Sequence, residues 1–185
     1  MDANNSTRYT YEDWAALDDS NRYELVDGKL IMMSAPLTER QDVAYEIARQ
    51  LGGLDSEKYC VFPSPYGVRL FEDTVFQPDI SVISDRSKIA IKGCKGAPDL
   101  IVEVMSGYNT KRDYDHLPVV KYLKYLEAGV REYWIAHPDS MTVSAFRLSD
   151  GKYVSTIFRK GEKACIEALD DFVIDLDLVF CNCIL

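Results

Sequence analysis

The sequence predicts an α/β (α+β) domain with a central mixed sheet flanked by helices, on three observations. Short β-like runs fill the middle of the chain. One stretch repeats apolar residues at helical spacing, and a second is framed by a helix-starting proline and a helix-ending glycine. No linker, repeat or low-complexity block divides the 185 residues. The expected organisation is a disordered polar segment over residues 1–8 and one domain over 9–185.

Each element has a local cause. Thr10-Tyr-Glu-Asp13 has the form of a capping box with Asp in the usual Glu position, so a short helix is expected through Leu17. Asp27-Gly28 lies between the runs Arg22–Val26 and Lys29–Met33. A two-residue hairpin turn needs positive φ at both positions, and Asp-Gly supplies it. Val43, Ile47 and Leu51, with Ala44 and Ala48 beside them, predict a helix that starts at Thr38 and stops at Gly52-Gly53. Its apolar stripe reads as core packing. Strand-like runs follow at Cys60–Phe62, Gly67–Phe71, Ile80–Ser84 and Leu100–Met105. Pro118 suits the first turn of a helix that reaches Ala128, and Gly129 suits the position just past its end. Glu132–Ala136 reads as a buried strand. A hairpin then joins Thr142–Leu148 to Tyr153–Arg159 across Ser149-Asp-Gly-Lys152. From Glu162 to Asp177 acids alternate with Ile166, Leu169, Phe172, Ile174 and Leu176. That stretch is either a packed segment with its charges in water or an acidic partner-binding surface.

Composition narrows the function classes. A formal net charge of −9 opposes indiscriminate nucleic-acid binding, which draws on Lys and Arg, and leaves room only for a local basic groove. No apolar run approaches the roughly 20 residues of a membrane span. The N-terminus lacks a signal-like stretch, so a cytoplasmic protein is expected. Five scattered cysteines do not form a disulfide framework, and Cys181-x-Cys183 has no second pair to complete a zinc site. His116 and His137 read as loop residues. No Ser-His-Asp order or phosphate-binding glycine loop is present.

One residue breaks the pattern. Ile101-Val-Glu-Val-Met105 is apolar on both faces except at Glu103, as a strand covered on both sides would be. A buried carboxylate is costly unless it is ion-paired, protonated or bound to metal. Three Pro-Asp pairs offer partners. Asp139 sits in a turn. Asp99 lies four residues before Glu103, about 13 Å along a strand, whereas magnesium holds its oxygens at about 2.1 Å. Asp79 opens a separate strand that the chain is long enough to bring alongside. Two acids on neighbouring strands can share one octahedral cation, with water filling the remaining positions.

Here the sequence resembles a known family. Arg22-Tyr-Glu24-Leu-Val-Asp-Gly28-Lys-Leu, Gln77-Pro-Asp79-Ile, Gly96-Ala-Pro-Asp-Leu-Ile-Val-Glu103-Val and Tyr125-Leu-Glu-Ala-Gly-Val-Arg-Glu-Tyr-Trp134-Ile occur in the order of the Uma family of restriction endonucleases. These belong to the PD-(D/E)XK nuclease superfamily, and the resemblance spans roughly Tyr9 to Leu148. It implies a restriction-endonuclease-like core, Mg²⁺ (or Mn²⁺) held by Asp79 and Glu103, hydrolysis of DNA phosphodiester bonds and a homodimer. The superfamily lysine two residues after the second acid is here Met105. The resemblance instead assigns that role to Lys121, which would orient the attacking water or stabilise the phosphorane. As a bare residue Lys121 reads equally as a solvated helix lysine. Glu24 reads alone as a solvent-facing strand position, and by resemblance as a further metal or water ligand. Gln41 and Lys111 are matched as substrate-contacting positions. Arg40 stands where relatives often carry histidine. Ser106-Gly-Tyr-Asn109 replaces a Ser-Pro-Ser-like turn, and the extra residues Asp115-His-Leu-Pro118 are expected to affect the reach of Lys121. Lys88, Lys92 and Lys95 are either phosphate contacts or a solvated loop. The alternative from another class is a catalytically inactive nuclease-fold domain kept for dimerisation or partner binding. The acidic pI, Met105 and the insertion favour it.

Overall fold

The computed structural model describes residues 7–17, 22–33, 35, 37–105 and 117–183. In chain order the elements are α1 (Tyr11–Ala15), β1 (Tyr23–Val26), β2 (Lys29–Met32), α2 (Thr38–Leu51), β3 (Cys60–Pro63), β4 (Val68–Phe71), β5 (Thr74–Phe76), β6 (Ile80–Ile83), β7 (Ile89–Ala90), β8 (Gly93–Lys95), β9 (Leu100–Val104), α3 (Leu117–Ala128), β10 (Glu132–His137), β11 (Thr142–Ser149), β12 (Lys152–Arg159), β13 (Lys163–Ile166), β14 (Phe172–Asp175) and α4 (Leu176–Val179).

The expected local devices are in place. Thr10 and Asp13 close the capping box of α1. Asp27 and Gly28 both take positive φ, 49° and 77°, so β1 turns directly into β2. Gly129 takes φ 82° and stops α3.

The central sheet is mixed, in the order β12-β11-β10-β9-β6-β3, with β9 and β10 parallel and the other neighbours antiparallel. A second six-stranded sheet, β2-β1-β5-β4-β8-β7, enlarges the single-sheet expectation. Its added strands β5, β7 and β8 are two or three residues long. That is too short for a period-2 pattern to stand out.

The central sheet carries a core on each face. On one side Val82, Leu100, Val102, Val104 and Trp134 pack with Val43, Ile47 and Leu51 of α2. Ala164, Ile166, Leu169, Ile174 and Leu176 join them, so the acidic stretch after Glu162 is a packed β13–β14 hairpin. On the other side Ile101 and Tyr133 meet Val26, Ile31, Val68 and Phe76 of the second sheet and Tyr125 of α3. Arg8 pairs with Asp73, and residues 1–6 lie outside the described residues. Among the described residues no helix is long and apolar enough to cross a membrane.

Candidate metal centre

Alternation along β9 sends Leu100, Val102 and Val104 into the α2-side core and Ile101 into the other. Glu103 therefore points to the side of Ile101, toward α3. Strand β6 runs antiparallel to β9 with Ile80 opposite Val102 and Ser81 opposite Ile101. One further step in that register sets Asp79 opposite Glu103. Residues directly opposed in an antiparallel pair turn to the same face.

A single guanidinium meets both acids. Arg40 Nε donates to both oxygens of Asp79 at 3.1 Å, and Arg40 Nη2 donates to Asp79 Oδ2 at 2.8 Å. The same Nη2 lies 3.7 Å from Glu103 Oε2. The Val104 N–H donates to Asp79 Oδ2 at 2.7 Å, which fixes the Asp79 carboxylate against β9. Arg40 comes from the first turn of α2, whose Val43, Ile47 and Leu51 are anchored in the opposite core. The helix is thereby held rigid where the arginine leans over the sheet edge.

The inner oxygen of Glu103 has different partners. Oε1 accepts from Lys121 Nζ at 2.7 Å and from the Tyr125 hydroxyl at 3.1 Å. Lys121 and Tyr125 are four residues apart on α3 and so share one helix face. Lys121 Nζ also lies 2.8 Å from Glu24 Oε1, which accepts the Gln77 N–H at 2.9 Å. The Phe76 ring lies 5.3 Å from the ammonium. With every group ionised, three carboxylates and two cations leave one net negative charge. The side chain of Arg40 is 24% exposed and that of Asp79 11%, while those of Lys121, Glu103 and Glu24 are below 10%. Solvent therefore reaches the cluster from the Arg40 side.

The buried groups respond to their surroundings. Burial acts most strongly on Glu103 and pushes its carboxyl upward against the pull of Lys121. Burial alone would lower Lys121, but Glu103 and then Glu24 outweigh it and hold the ammonium above the ordinary lysine value. Lys121 is thus a fixed positive charge and a poor proton acceptor at neutral pH. Burial also pushes the Tyr125 phenol well up, so it stays protonated as a donor.

The structure brings Asp79, Glu103, Lys121 and Glu24 together. Glu24 is buried rather than solvent-facing, because β1 belongs to the second sheet and turns it inward. Lys121 is buried rather than solvated, and α3, which begins at Leu117, carries it within reach of Glu103; Asp115 and His116 lie outside the described residues. Lys124, one turn on, pairs with Asp27 at 2.7 Å. Asp99 is spent elsewhere: it accepts from the Ser84 N–H and hydroxyl and from Arg131. Lys88 and Lys92 donate to the Ala97 and Ala15 carbonyls. Gln41 is exposed beside Arg40 on α2. Lys111, His116 and the Ser106–Asn109 turn lie outside the described residues. Arg40 as a bridge, Tyr125 as a donor to Glu103 and the Gln77 backbone are not expected from the sequence. Only Tyr125 carried a signal, in its four-residue offset from Lys121.

The donor set fits a hard divalent cation. Carboxylate oxygens suit Mg²⁺ or Mn²⁺, and Mg²⁺ is commonly held by one or two carboxylates plus water. Glu103 Oε2 and the Asp79 carboxylate face a cation already, namely Arg40. Among the described residues no group of three or more His, Cys, Asp or Glu is arranged to hold an ion. An ion at this place would therefore rest on two acids.

Comparison with known proteins agrees with this architecture. The Uma2 family, described as "Putative restriction endonuclease", matches residues 9–177. The chain is similar in structure to "a putative nuclease belonging to DUF820 from Anabaena variabilis ATCC 29413", with a TM-score of 0.73 and 20% sequence identity. That match covers 93% of this chain and 97% of the other, and at such identity it establishes the fold. No curated protein matches the chain.

Proposed function

Because the chain belongs to the Uma2 family, we propose that it is a metal-dependent endonuclease hydrolysing DNA phosphodiester bonds at the Asp79–Glu103 cluster. One observation carries this reading: two acids from neighbouring strands turn to the same face and meet one positive group. Asp79 and Glu103 would hold Mg²⁺, or Mn²⁺ in its place. Such an ion supplies Lewis-acid polarisation of a phosphoryl oxygen and lowers the pKa of a bound water.

The chain's own residues do the rest. Val104 N–H and Tyr125 hold the two carboxylates in fixed directions. Lys121, kept charged by Glu103 and Glu24, places a positive charge beside the reacting phosphate and stabilises the negative charge that develops there. Glu24 acts through Lys121 as a positioning residue. Gln41, exposed next to Arg40, and Lys111 are assigned to substrate contact. A homodimer and DNA as the partner complete the reading.

The test is nicking of supercoiled plasmid with Mg²⁺ or Mn²⁺. Metal-dependent nicking by the wild-type chain, lost in Asp79→Ala and in Glu103→Ala, is the expected outcome. Nicking that persists in Asp79→Ala would place the activity elsewhere. The second reading, an inactive nuclease-fold domain for dimerisation or partner binding, is favoured by the arginine seated between the two acids. It predicts neither nicking nor metal uptake.

A further inference from the structure

We propose that Arg40 is a built-in competitor for the metal position: its guanidinium bridges Asp79 and Glu103, and a divalent cation binds only as this side chain swings out. The inference rests on the metal-dependent reading above and adds a regulatory residue to it.

Three observations converge on Arg40. First, it takes the oxygens an ion would need. Its Nε and Nη2 engage both oxygens of Asp79, and Nη2 also faces Glu103 Oε2 at 3.7 Å. The other Glu103 oxygen is committed to Lys121 and Tyr125. Second, it is the most exposed member of the cluster, with a side chain 24% exposed against 11% or less for the acids and Lys121. It can leave into solvent without opening the core. Third, with every group ionised the electrostatics favour an exchange. With Arg40 in place the five groups sum to one negative charge, so an added divalent ion meets little net attraction. With Arg40 withdrawn the pocket holds three carboxylates against one ammonium, which suits a doubly charged ion. The fork–fork contact with Asp79, Nε to Oδ1 and Nη2 to Oδ2, is the stronger half of the bridge, and the longer contact with Glu103 is the weaker half. An entering ion would accordingly meet the Glu103 oxygen first.

The consequence is a site whose metal affinity is set by an arginine rather than by the acids alone. Substrate phosphate gives the released guanidinium a bidentate partner. DNA and metal should therefore favour the same swung-out state and strengthen each other's binding.

Calorimetric titration of Mn²⁺ alone into the full chain tests the proposal. Arg40→Gln is expected to bind Mn²⁺ at least about tenfold more tightly than wild type, the scale on which one charge-assisted contact alters an equilibrium. The gain should vanish in Arg40→Gln/Asp79→Asn. Arg40→Lys keeps the charge but cannot fork across both acids, and should fall between wild type and Arg40→Gln. Wild-type binding that Arg40→Gln fails to improve would overturn the competitor role and leave the metal site standing. Absence of Mn²⁺ binding in both proteins would overturn the metal reading and this inference together. A wild-type measurement guards against misfolding of the variants. The Arg40 Nε–H resonance, slow to exchange while bridging, should move and lose protection as Mg²⁺ is added. A resonance unmoved at saturating Mg²⁺ overturns the proposal.

Discussion

Two buried glutamates on paired strands of the central sheet meet opposite fates. Glu132 opens β10 and faces the α2-side core, where its carboxylate accepts from the Trp134 indole N–H at 2.6 Å and the Ala168 N–H at 3.0 Å. Glu103 near the end of β9 faces the other side and is held by Lys121, Tyr125 and, at longer range, Arg40. Burial is the strongest influence on both and pushes both carboxyls up. The difference lies in the partners. Fixed neutral donors, one of them backbone, engage both oxygens of Glu132 and make it a joint between the sheet and the segment before β14. Charged side chains surround Glu103, and one of them, Arg40, is partly exposed to solvent and, in the proposal above, exchanges for a metal ion.

The largest expected effect comes from breaking the charged side of this comparison. Lys121→Met leaves Glu24 and Glu103 buried without their cation, and should cost about 3–5 kcal/mol in denaturant unfolding. Adding Glu24→Gln and Glu103→Gln should recover much of that loss, because the uncompensated charges go with the lysine. A triple variant no more stable than Lys121→Met would show that packing, not charge, sets the cost.

The neutral side should break more gently. Glu132→Ala strands the Trp134 and Ala168 donors and should cost about 1–3 kcal/mol for each one left unsatisfied. Mn²⁺ binding should be unchanged, since Glu132 turns away from the site. A smaller change acts on the helix that carries Lys121. Gly129 holds φ 82° with no atom near its missing Cβ, so Gly129→Ala should cost about 1 kcal/mol through backbone strain alone. A cost several times larger would mean that α3 had moved.

The smallest effect is a pH slope. The folded-state value of Glu132 is raised, so its contribution is complete below the unfolded glutamate value of about 4.3 and is lost as pH rises through the folded value. Unfolding free energy of wild type relative to Glu132→Gln should therefore fall as pH rises above about 4.3. A rise in that interval would reverse the assigned direction.

The same contrast explains how much was legible in the sequence. Asp-Gly turns, the Thr10–Asp13 cap and the Val43–Ile47–Leu51 stripe are local signals, and they fold as read. Glu103 stands out because a charge within an apolar strand is conspicuous, comparison of the Pro-Asp pairs points to Asp79 as its partner, and resemblance supplies Lys121. Glu24 was misplaced as solvent-facing because the sheet that covers it rests on strands as short as β5 and β8, which leave no periodic trace. Arg40 was noticed only as a departure from relatives. Nothing local distinguishes it from any arginine on a helix surface. Its bridge exists only after α2, β6 and β9 have packed, so it belongs to tertiary geometry rather than to pattern.

An anomalous difference map from a crystal soaked in Mn²⁺ tests the exchange of Arg40 for a metal ion directly. One peak is expected between the carboxylates of Asp79 and Glu103, with the Arg40 side chain withdrawn and Lys121 still seated between Glu24 and Glu103. A map empty at that place, with Arg40 still spanning the two acids, would contradict the exchange.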